Sequence, residues 1–466
     1  MDLMNAIIDK LQGLLDGDGV LLGAEVSGRA AGIWDSTGIQ AAAIVRPTTT
    51  AQVAAVLRTC NARGQPVTAH GGRTGLVEGQ LTTSEDIVLS LERMNRIEDI
   101  DVAGRTMTVQ AGVLLQVIQE AAENAGLYFP VDLGARGSCT IGGNVATNAG
   151  GNGVIRYGMT RDNILGLEAV LADGTVISSL NRMIKNNAGY DLKQLFIGSE
   201  GTLGIVTRVV LRLREAARSQ NTALLASNEF TKVINLLKFL DRELGGTLSA
   251  FEVMWRDFYR LVTTPPAKSK PPLEQSHEFY VLVESRGGEP VADTERFQSV
   301  LQRALEQELI DDVVIAKSLA ERAALWAIRD DVEQGHRYGQ PFIFDVSLQI
   351  KDMPAYISKV KQALDRAWPG NRCFVFGHLG DGNLHYNIVV GDFSAAAKHS
   401  VEAIVYGPLR DINGSVSAEH GIGLQKKPYL SLCRTEAEIA LMQRLKQSLD
   451  PKGILNPGKI FDLPQG

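Results

Sequence analysis

Glycine constrains this chain more than any other residue. Of its 47 glycines, three tight clusters fall before residue 205. They are His70-Gly-Gly-Arg-Thr-Gly75; Gly134-Ala-Arg-Gly-Ser-Cys-Thr-Ile-Gly-Gly-Asn144, running on to Thr147-Asn-Ala-Gly-Gly151; and Gly198-Ser-Glu-Gly-Thr-Leu-Gly204. Glycine lets backbone N–H groups turn toward an anion and approach it closely, as a pyrophosphate requires. One such cluster is as well explained by ordinary turns. Three in one half, two of them rich in Ser, Thr and Asn, point to a ligand. None is a Rossmann fingerprint, because no GxGxxG opens a helix after a strand with an acid about twenty positions on. Gly421-Ile-Gly423 fails as well, since Lys426 stands where the third glycine belongs. A dinucleotide is implied, held otherwise than in nicotinamide enzymes.

Short elements surround these clusters. The pattern predicts a helix over Ala51–Arg63 with a Thr-rich start, a strand over Pro66–Ala69 and a hairpin over Arg96–Ala111. A helix over Leu114–Ala125 and a hairpin over Asn163–Ile177, turning at Asp173-Gly174, follow. This is α+β rather than a regular βαβ array. After Arg214 the composition changes: Glu215–Ser227 lacks glycine, and a helix is expected over Phe230–Leu244. Farther on, strands are expected at Phe279–Val283 and Phe342–Ile350, and helices at Ala292–Leu309 and Ile357–Trp368. A helical tail, Thr435–Ser448, leads to Asp450-Pro-Lys-Gly-Ile-Leu-Asn-Pro-Gly-Lys459. A chain of 466 residues exceeds one ordinary core. The expected domains are 1–215, 216–410 and a C-terminal segment, 411–466, that completes the active site.

Composition narrows the function. The 44% hydrophobic and 21% charged content is that of a soluble globular protein. A net charge of -6 without a basic cluster argues against nucleic-acid binding. Pro265–Pro272 reads as an exposed loop, and no uncharged apolar run reaches membrane-spanning length. Met1–Leu15 has an amphipathic helix pattern that includes Asp2, Asp9 and Lys10. The first arginine is Arg29, so neither a secretory signal nor a transit peptide is expected. Cys60, Cys139, Cys373 and Cys433 are scattered without a CxxC, which suits reduced thiols in a cytoplasmic enzyme.

Two segments carry the chemistry: His378-Leu-Gly-Asp-Gly-Asn-Leu-His385-Tyr-Asn387 and Ser417-Ala-Glu419-His420-Gly421. The first reads as a strand, Phe374–His378, a turn at Gly380-Asp-Gly382 and a returning strand, Leu384–Val389. Alternation puts His385 and Asn387 on one face, and the turn can bring His378 near them. Glu419 can complete a His-His-carboxylate metal set with open positions for substrate, and His420 can act as a base beside it. A core histidine is usually just hydrogen-bonded, and Asp-Gly-Asn is common in hairpins. Yet the chain has only 7 histidines, and three of them lie in these segments.

Taken together, several segments resemble the D-lactate/D-2-hydroxyglutarate dehydrogenase branch of the vanillyl-alcohol-oxidase-type flavoproteins. They are Pro47-Thr-Thr-Thr50, Gly71-Gly72-Arg73-Thr74-Gly75, Thr140-Ile-Gly-Gly-Asn144, Gly198–Gly204, Gly377–His385, Glu419-His-Gly-Ile-Gly423 and Asn456-Pro-Gly-Lys459. The likeness runs from about residue 40 to the C-terminus with the motifs in family order. It implies an α+β, two-subdomain FAD-binding domain and an α+β cap domain with an antiparallel sheet and a C-terminal helical segment. By position, Gly71, Gly72, Thr74 and Gly75 are expected at the pyrophosphate. Ser138, Gly142, Gly143, Asn144 and Thr147 are expected along the dinucleotide, and Gly201 and Ile205 near the cofactor. Relatives that tether FAD often carry Gly-Gly-His in the first loop. Arg73 stands there in this chain, so noncovalent FAD is expected.

The resemblance also assigns His378, His385 and Glu419 to a divalent metal, zinc by preference, and makes His420 the base. Asn387 is expected on the substrate hydroxyl or carboxylate and Arg329 on a carboxylate. Enzymes acting on D-2-hydroxyglutarate carry a threonine one helical turn after that arginine and a lysine in the following strand. Here Glu333 and Ile343 occupy those places, so a monocarboxylic, D-lactate-like acid fits as well as the dicarboxylate. The expected partners are a small-molecule 2-hydroxy acid and an electron acceptor: an electron-transfer flavoprotein, a quinone or a cytochrome. No nucleic acid and no integral membrane segment are expected, and a homodimer is compatible. The competing readings are a flavoprotein subunit of a glycolate-oxidase-type complex and a flavin-free His-His-Glu metal oxygenase.

Overall fold

In the computed structural model of the chain, residues 2–33 and 35–464 are described; Met1, the start of the expected N-terminal helix, lies outside them. Two compact units form. The first comprises Met1–Gly151, Gly158–Ala216 and Glu419–Gly466, and the second Asn152–Tyr157 and Ala217–Ala418. Among the described residues no helix is long and apolar enough to cross a membrane.

The first unit is built on two sheets. β1 (Val20–Leu21), β2 (Ala43–Val45), β3 (Val67–His70) and β4 (Ile87–Ser90) line up in the order β1-β2-β4-β3. β2 and β3 both run parallel to β4, so the chain must cross over between them. Helix Thr50–Arg63 makes that crossover. It starts where the Thr49 hydroxyl accepts the Gln52 amide and stops at Gly64, whose φ of 66° closes the last turn. Its face of Val53, Val56, Leu57 and Cys60 packs on Val45, Ile87 and Leu89. β5 (Ile97–Asp101) and β6 (Thr106–Gln110) form the first expected hairpin, and the short β7 (Leu127–Tyr128) follows. β8 (Ile164–Val170) and β9 (Val176–Ser179) form the second hairpin, β10 (Ile205–Arg212) pairs between the two, and β11 (Arg214–Glu215) pairs with β7. This second sheet, β5-β6-β10-β8-β9, buries Val109, Leu167 and Val209 against helix Leu115–Asn124.

The C-terminal residues belong to the same unit. Helix Glu436–Leu449 opens with a capping box between Thr435 and Glu438. Beyond it the chain lies along β3: the Val67 amide donates to Ile454 O and the Asn456 amide to Val67 O, at 2.8 and 2.9 Å.

The second unit is one antiparallel sheet of seven strands with helices. In chain order these are β12 (Ser219–Ser227), β13 (Leu248–Trp255), β14 (Phe279–Gly287), β15 (Asp312–Ile315), β16 (Phe342–Ser347), β17 (Arg372–His378) and β18 (Asn383–Val389). Their spatial order is β15-β12-β14-β13-β17-β18-β16. Helices Arg256–Thr263 and Leu319–Asp330 supply Phe258, Tyr259 and Ile328 to a core with Met254, Tyr280 and Phe376. β13 was not expected from the sequence. It is buried over Leu248–Met254, so the two-residue alternation that reveals a half-exposed strand is missing. β16 ends at Ser347, short of the expected Ile350, because the next amide, Leu348, turns to Gly382 O.

Candidate active site

The three glycine clusters converge within the first unit. A Cβ at Gly72 would lie 2.1 Å from Ser138 O, and one at Gly71 would lie 2.5 Å from Thr140 Oγ1. The first loop therefore rests against the second, backbone to backbone. The third cluster joins them through helix Ile141–Thr147: the Gly198 amide donates to Val145 O and the Glu200 amide to Ala146 O. Gly201, with φ of 70°, sits against Asn456 Nδ2, where a Cβ would be 2.8 Å away. Thr147 Oγ1 donates back to Gly143 O at 3.1 Å, and Ile205 is in the core at the start of β10. The Gly142 amide is already bonded to Ala111 O, and its missing Cβ permits that close packing. Thr74 and Gly75 lie in the loop just beyond Arg73, whose own φ is 55°.

The C-terminal motif holds this assembly. Asn456 Oδ1 accepts the Ala69 amide at 2.8 Å, and its Nδ2 donates to Glu200 O. Lys459 reaches Leu81 O at 2.9 Å. Lys446 is buried, with its ammonium on Asp450 and on the carbonyls of Thr202 and Leu455. The glycine pair Gly421-Ile-Gly423 has a structural role: the Ile422 and Gly423 amides donate to the Glu200 carboxylate at 2.7 and 2.8 Å. Burial raises the Glu200 carboxyl above its ordinary value, and those two amides and Lys426 oppose the rise. Glu419 begins this segment and accepts the Gly151 amide at 2.6 Å; His420 follows it.

In the second unit the sheet register assembles the histidines. His385 on β18 lies opposite Phe376 on β17 and Asp345 on β16, while His378 on β17 lies opposite Glu252 on β13. Residues directly opposite one another share a face, so all five point the same way. The turn is longer than a two-residue hairpin: a short 3-10 turn, Leu379–Asp381, closes at Gly382 with φ of 83°. The His378 and His385 rings are 5.3 Å apart and nearly perpendicular. His378 Nδ1 donates to Glu252 Oε1 at 2.7 Å, which leaves Nε2 as the lone-pair nitrogen, 3.3 Å from Arg329 Nη2. Arg329 Nε donates to Glu252 Oε2 at 2.8 Å, and its guanidinium lies over the Phe376 ring. Burial raises the Glu252 carboxyl, but the charges and hydrogen bonds of His378 and Arg329 outweigh it and hold the group below its ordinary value. His385 Nδ1 faces Asp345 Oδ1 at 3.9 Å, and Asp345 also accepts the Asn383 side chain and the Ala418 amide. Asn387 donates to Val332 O at 3.4 Å and lies opposite Ile343.

Two family profiles match the chain. "FAD binding domain" matches residues 41–179, and "FAD linked oxidases, C-terminal domain" matches 216–460. A D-2-hydroxyglutarate dehydrogenase from Xanthomonas citri pv. viticola is 40% identical over 90% of this chain and 89% of its own length. A mitochondrial D-2-hydroxyglutarate dehydrogenase from Bos taurus is 40% identical over 90% of this chain and 76% of its own.

The chain belongs to the FAD-linked oxidases.

Its fold is shared with p-cresol methylhydroxylase, solved with substrate bound, at a TM-score of 0.80 and 15% identity, over 100% of this chain and 98% of that one. This is the vanillyl-alcohol-oxidase-type α+β architecture that the motifs implied. An FAD-linked oxidase is not a flavin-free oxygenase, and that reading is set aside.

The residues present fit both groups that the family and the sequence suggest. In the first unit, Thr140 Oγ1, Asn144 Oδ1 and His70 Nδ1 are buried without a hydrogen-bond partner among the described residues, in loops packed too closely for side chains. Buried polar atoms normally find partners, so these have bonding capacity for a dinucleotide. In the second unit, ring nitrogens of His378 and His385 lie within 4.8 Å of one another, and each ring is backed by a carboxylate. Carboxylate backing of this kind orients histidines that bind metals. Reading the sequence missed both backing acids. The signal was there: Glu252 and Asp345 are single carboxylates inside the apolar runs Ser249–Trp255 and Phe342–Val346. A buried charge is costly unless it is paired.

Proposed function

We propose that this FAD-linked oxidase is a dehydrogenase that oxidises a D-2-hydroxy acid of the D-2-hydroxyglutarate class to its 2-keto acid. The His378–His385 pair, fixed at a 5.3 Å ring separation on one sheet face, carries the proposal. The names of the Xanthomonas and bovine relatives support the substrate class. His378, His385 and Glu419 are the proposed ligands of a divalent ion. Zinc suits a set of two imidazoles and one carboxylate with open positions. FAD, when bound, would accept the hydride of the α-carbon, and the ion would acidify a coordinated hydroxyl as it acidifies a bound water.

The chain's own residues then divide the work. Glu252 holds His378 in the tautomer that presents Nε2. His420 takes the hydroxyl proton. Asn387 hydrogen-bonds the hydroxyl or carboxylate, and Arg329 supplies positive charge for the carboxylate. FAD is held noncovalently: Arg73 occupies the usual tether position, and burial pushes the nearby His70 imidazole down to about 4 while its Nε2 bonds Gln80 O. Four free cysteines support a reducing compartment such as the cytoplasm. The acceptor of the electrons is an electron-transfer flavoprotein, a quinone or a cytochrome.

One observation favours a second substrate. Ile343 lies opposite Asn387 and offers no cation to a second carboxylate, which suits a D-lactate-like acid. Chelation tests the metal in either case. Stripping divalent ions should abolish oxidation of D-2-hydroxyglutarate and D-lactate while the flavin spectrum stays, and zinc should restore it. Full turnover in rigorously metal-free enzyme would refute the metal role. Comparing the two acids at equal concentration decides between them.

A further inference from the structure

The geometry points to a binding site for a small polyvalent anion in the second unit, separate from the histidine pair. The site is a cavity of about 420 Å³ where helix Arg256–Thr263, the 3-10 segment Val332–Tyr338, helix Met353–Ala367 and the start of β17 meet. Four cations line it, Arg260, Arg337, Lys361 and Arg372, against two carboxylates, Asp257 and Asp365.

Neither carboxylate is ion-paired to one of the arginines. Asp257 is 3.6 Å from Lys361, and Asp365 accepts the Asn371 side chain at 2.9 Å. Each arginine is anchored by neutral groups instead. Arg260 Nε donates to Gln275 O, and Arg337 Nη2 to the carbonyls of Leu261 and Thr264 and to Gln334 Oε1. Arg337 Nε is buried and has no hydrogen-bond partner among the described residues. Arg372 lies over the Tyr338 ring at 5.2 Å, and that ring stacks on Phe374. Three arginines thus line one concavity, none of them ion-paired to a carboxylate among the described residues, in a chain whose net charge is -6. Like charges gathered in a cleft repel one another and focus a positive field, which an anion relieves. Fixed guanidinium forks match the oxygens of a phosphoryl or carboxylate group in a bidentate way. The ligand class is therefore a phosphate ester or a polycarboxylate small enough for the cavity.

The site also adjoins the histidine face. Segment Val332–Tyr338 supplies Arg337 and Tyr338 to the cavity, and its Val332 O accepts the Asn387 side chain. An anion that anchors this segment steadies the backbone beside Asn387.

Titration calorimetry of the FAD-loaded protein tests the site, using inorganic phosphate and tricarballylate as separate probes at fixed ionic strength. We expect one saturable site for at least one probe; phosphate alone would identify a phosphoryl ligand and tricarballylate alone a polycarboxylate. Arg260 and Arg372 are both exposed, so a double variant, Arg260→Gln with Arg372→Gln, should fold and keep its flavin spectrum. It should bind about tenfold more weakly or worse, since a charge-assisted bond to the anion is lost at each position. His385→Ala should bind as tightly as the parent, which separates this cavity from the proposed metal site. Absence of saturable binding for both probes would overturn the inference. So would unchanged affinity in the double variant, or loss of binding in His385→Ala.

Discussion

Glu252 and His378 face each other across β13 and β17, with Oε1 and Nδ1 2.7 Å apart. The same carboxylate takes Arg329 Nε on its other oxygen, so one buried acid fixes both an imidazole and a guanidinium. Glu252→Gln keeps the shape but removes the charge. Turnover should fall by about 10–100-fold, the usual consequence of losing a group that orients a metal-binding histidine. Metal content, measured alongside the rate, should fall with it while FAD stays bound. An unchanged rate and metal content would show that Glu252 only pairs with Arg329.

His420→Ala should slow flavin reduction by on the order of a hundredfold or more, within the usual range for a general base. Binding of the substrate should weaken far less, because the proposed grip belongs to Asn387, Arg329 and the metal ligands. Stopped-flow reduction at several substrate concentrations separates the two effects. Equal reduction rates in parent and variant would remove His420 from the base role.

The glycine loops and the histidine hairpin were legible in the sequence because each announces itself locally. Turn residues stand next to strands, and His385 and Asn387 keep strand spacing. What escaped depends on contacts distant in sequence. Glu252 gains its meaning only when β13 pairs with β17, 126 positions away. Asn456 similarly acquires a role by bonding Ala69, 387 positions away. The pair Gly421 and Gly423 resembled a failed nucleotide motif, yet this segment's amides serve a side chain, Glu200.

Asn456→Ala should loosen the FAD unit. It frees the Ala69 amide and the Glu200 carbonyl from a partner that joins β3 to the third glycine cluster. Leaving a buried backbone group unbonded costs about 1–3 kcal/mol. A lower melting temperature and weaker FAD retention on dialysis are expected together. A variant with unchanged melting and flavin content would contradict the clamp.

Glu284 sets an acid limit on the second unit. Burial raises its carboxyl, but Arg286, Arg322 and their hydrogen bonds prevail and hold it near about 2, against an ordinary value of 4.5. A depressed carboxyl stabilises the fold fully above the unfolded value and loses that contribution as pH falls from about 4.5 toward about 2. The loss is on the order of 3 kcal/mol, at about 1.4 kcal/mol for each unit. Glu284→Gln should therefore be less stable than the parent near neutrality, and the gap should narrow on acidification. Urea midpoints measured at several pH values check this. A gap that stays constant with pH would rule it out.

Anaerobic mixing of the purified yellow protein with single enantiomers of 2-hydroxy acids tests the central claim most directly. D-2-hydroxyglutarate or a D-lactate-like acid should bleach the flavin absorbance, and the L forms should leave it. A flavin that no D-2-hydroxy acid reduces, or that both enantiomers reduce at matching rates, would contradict the account.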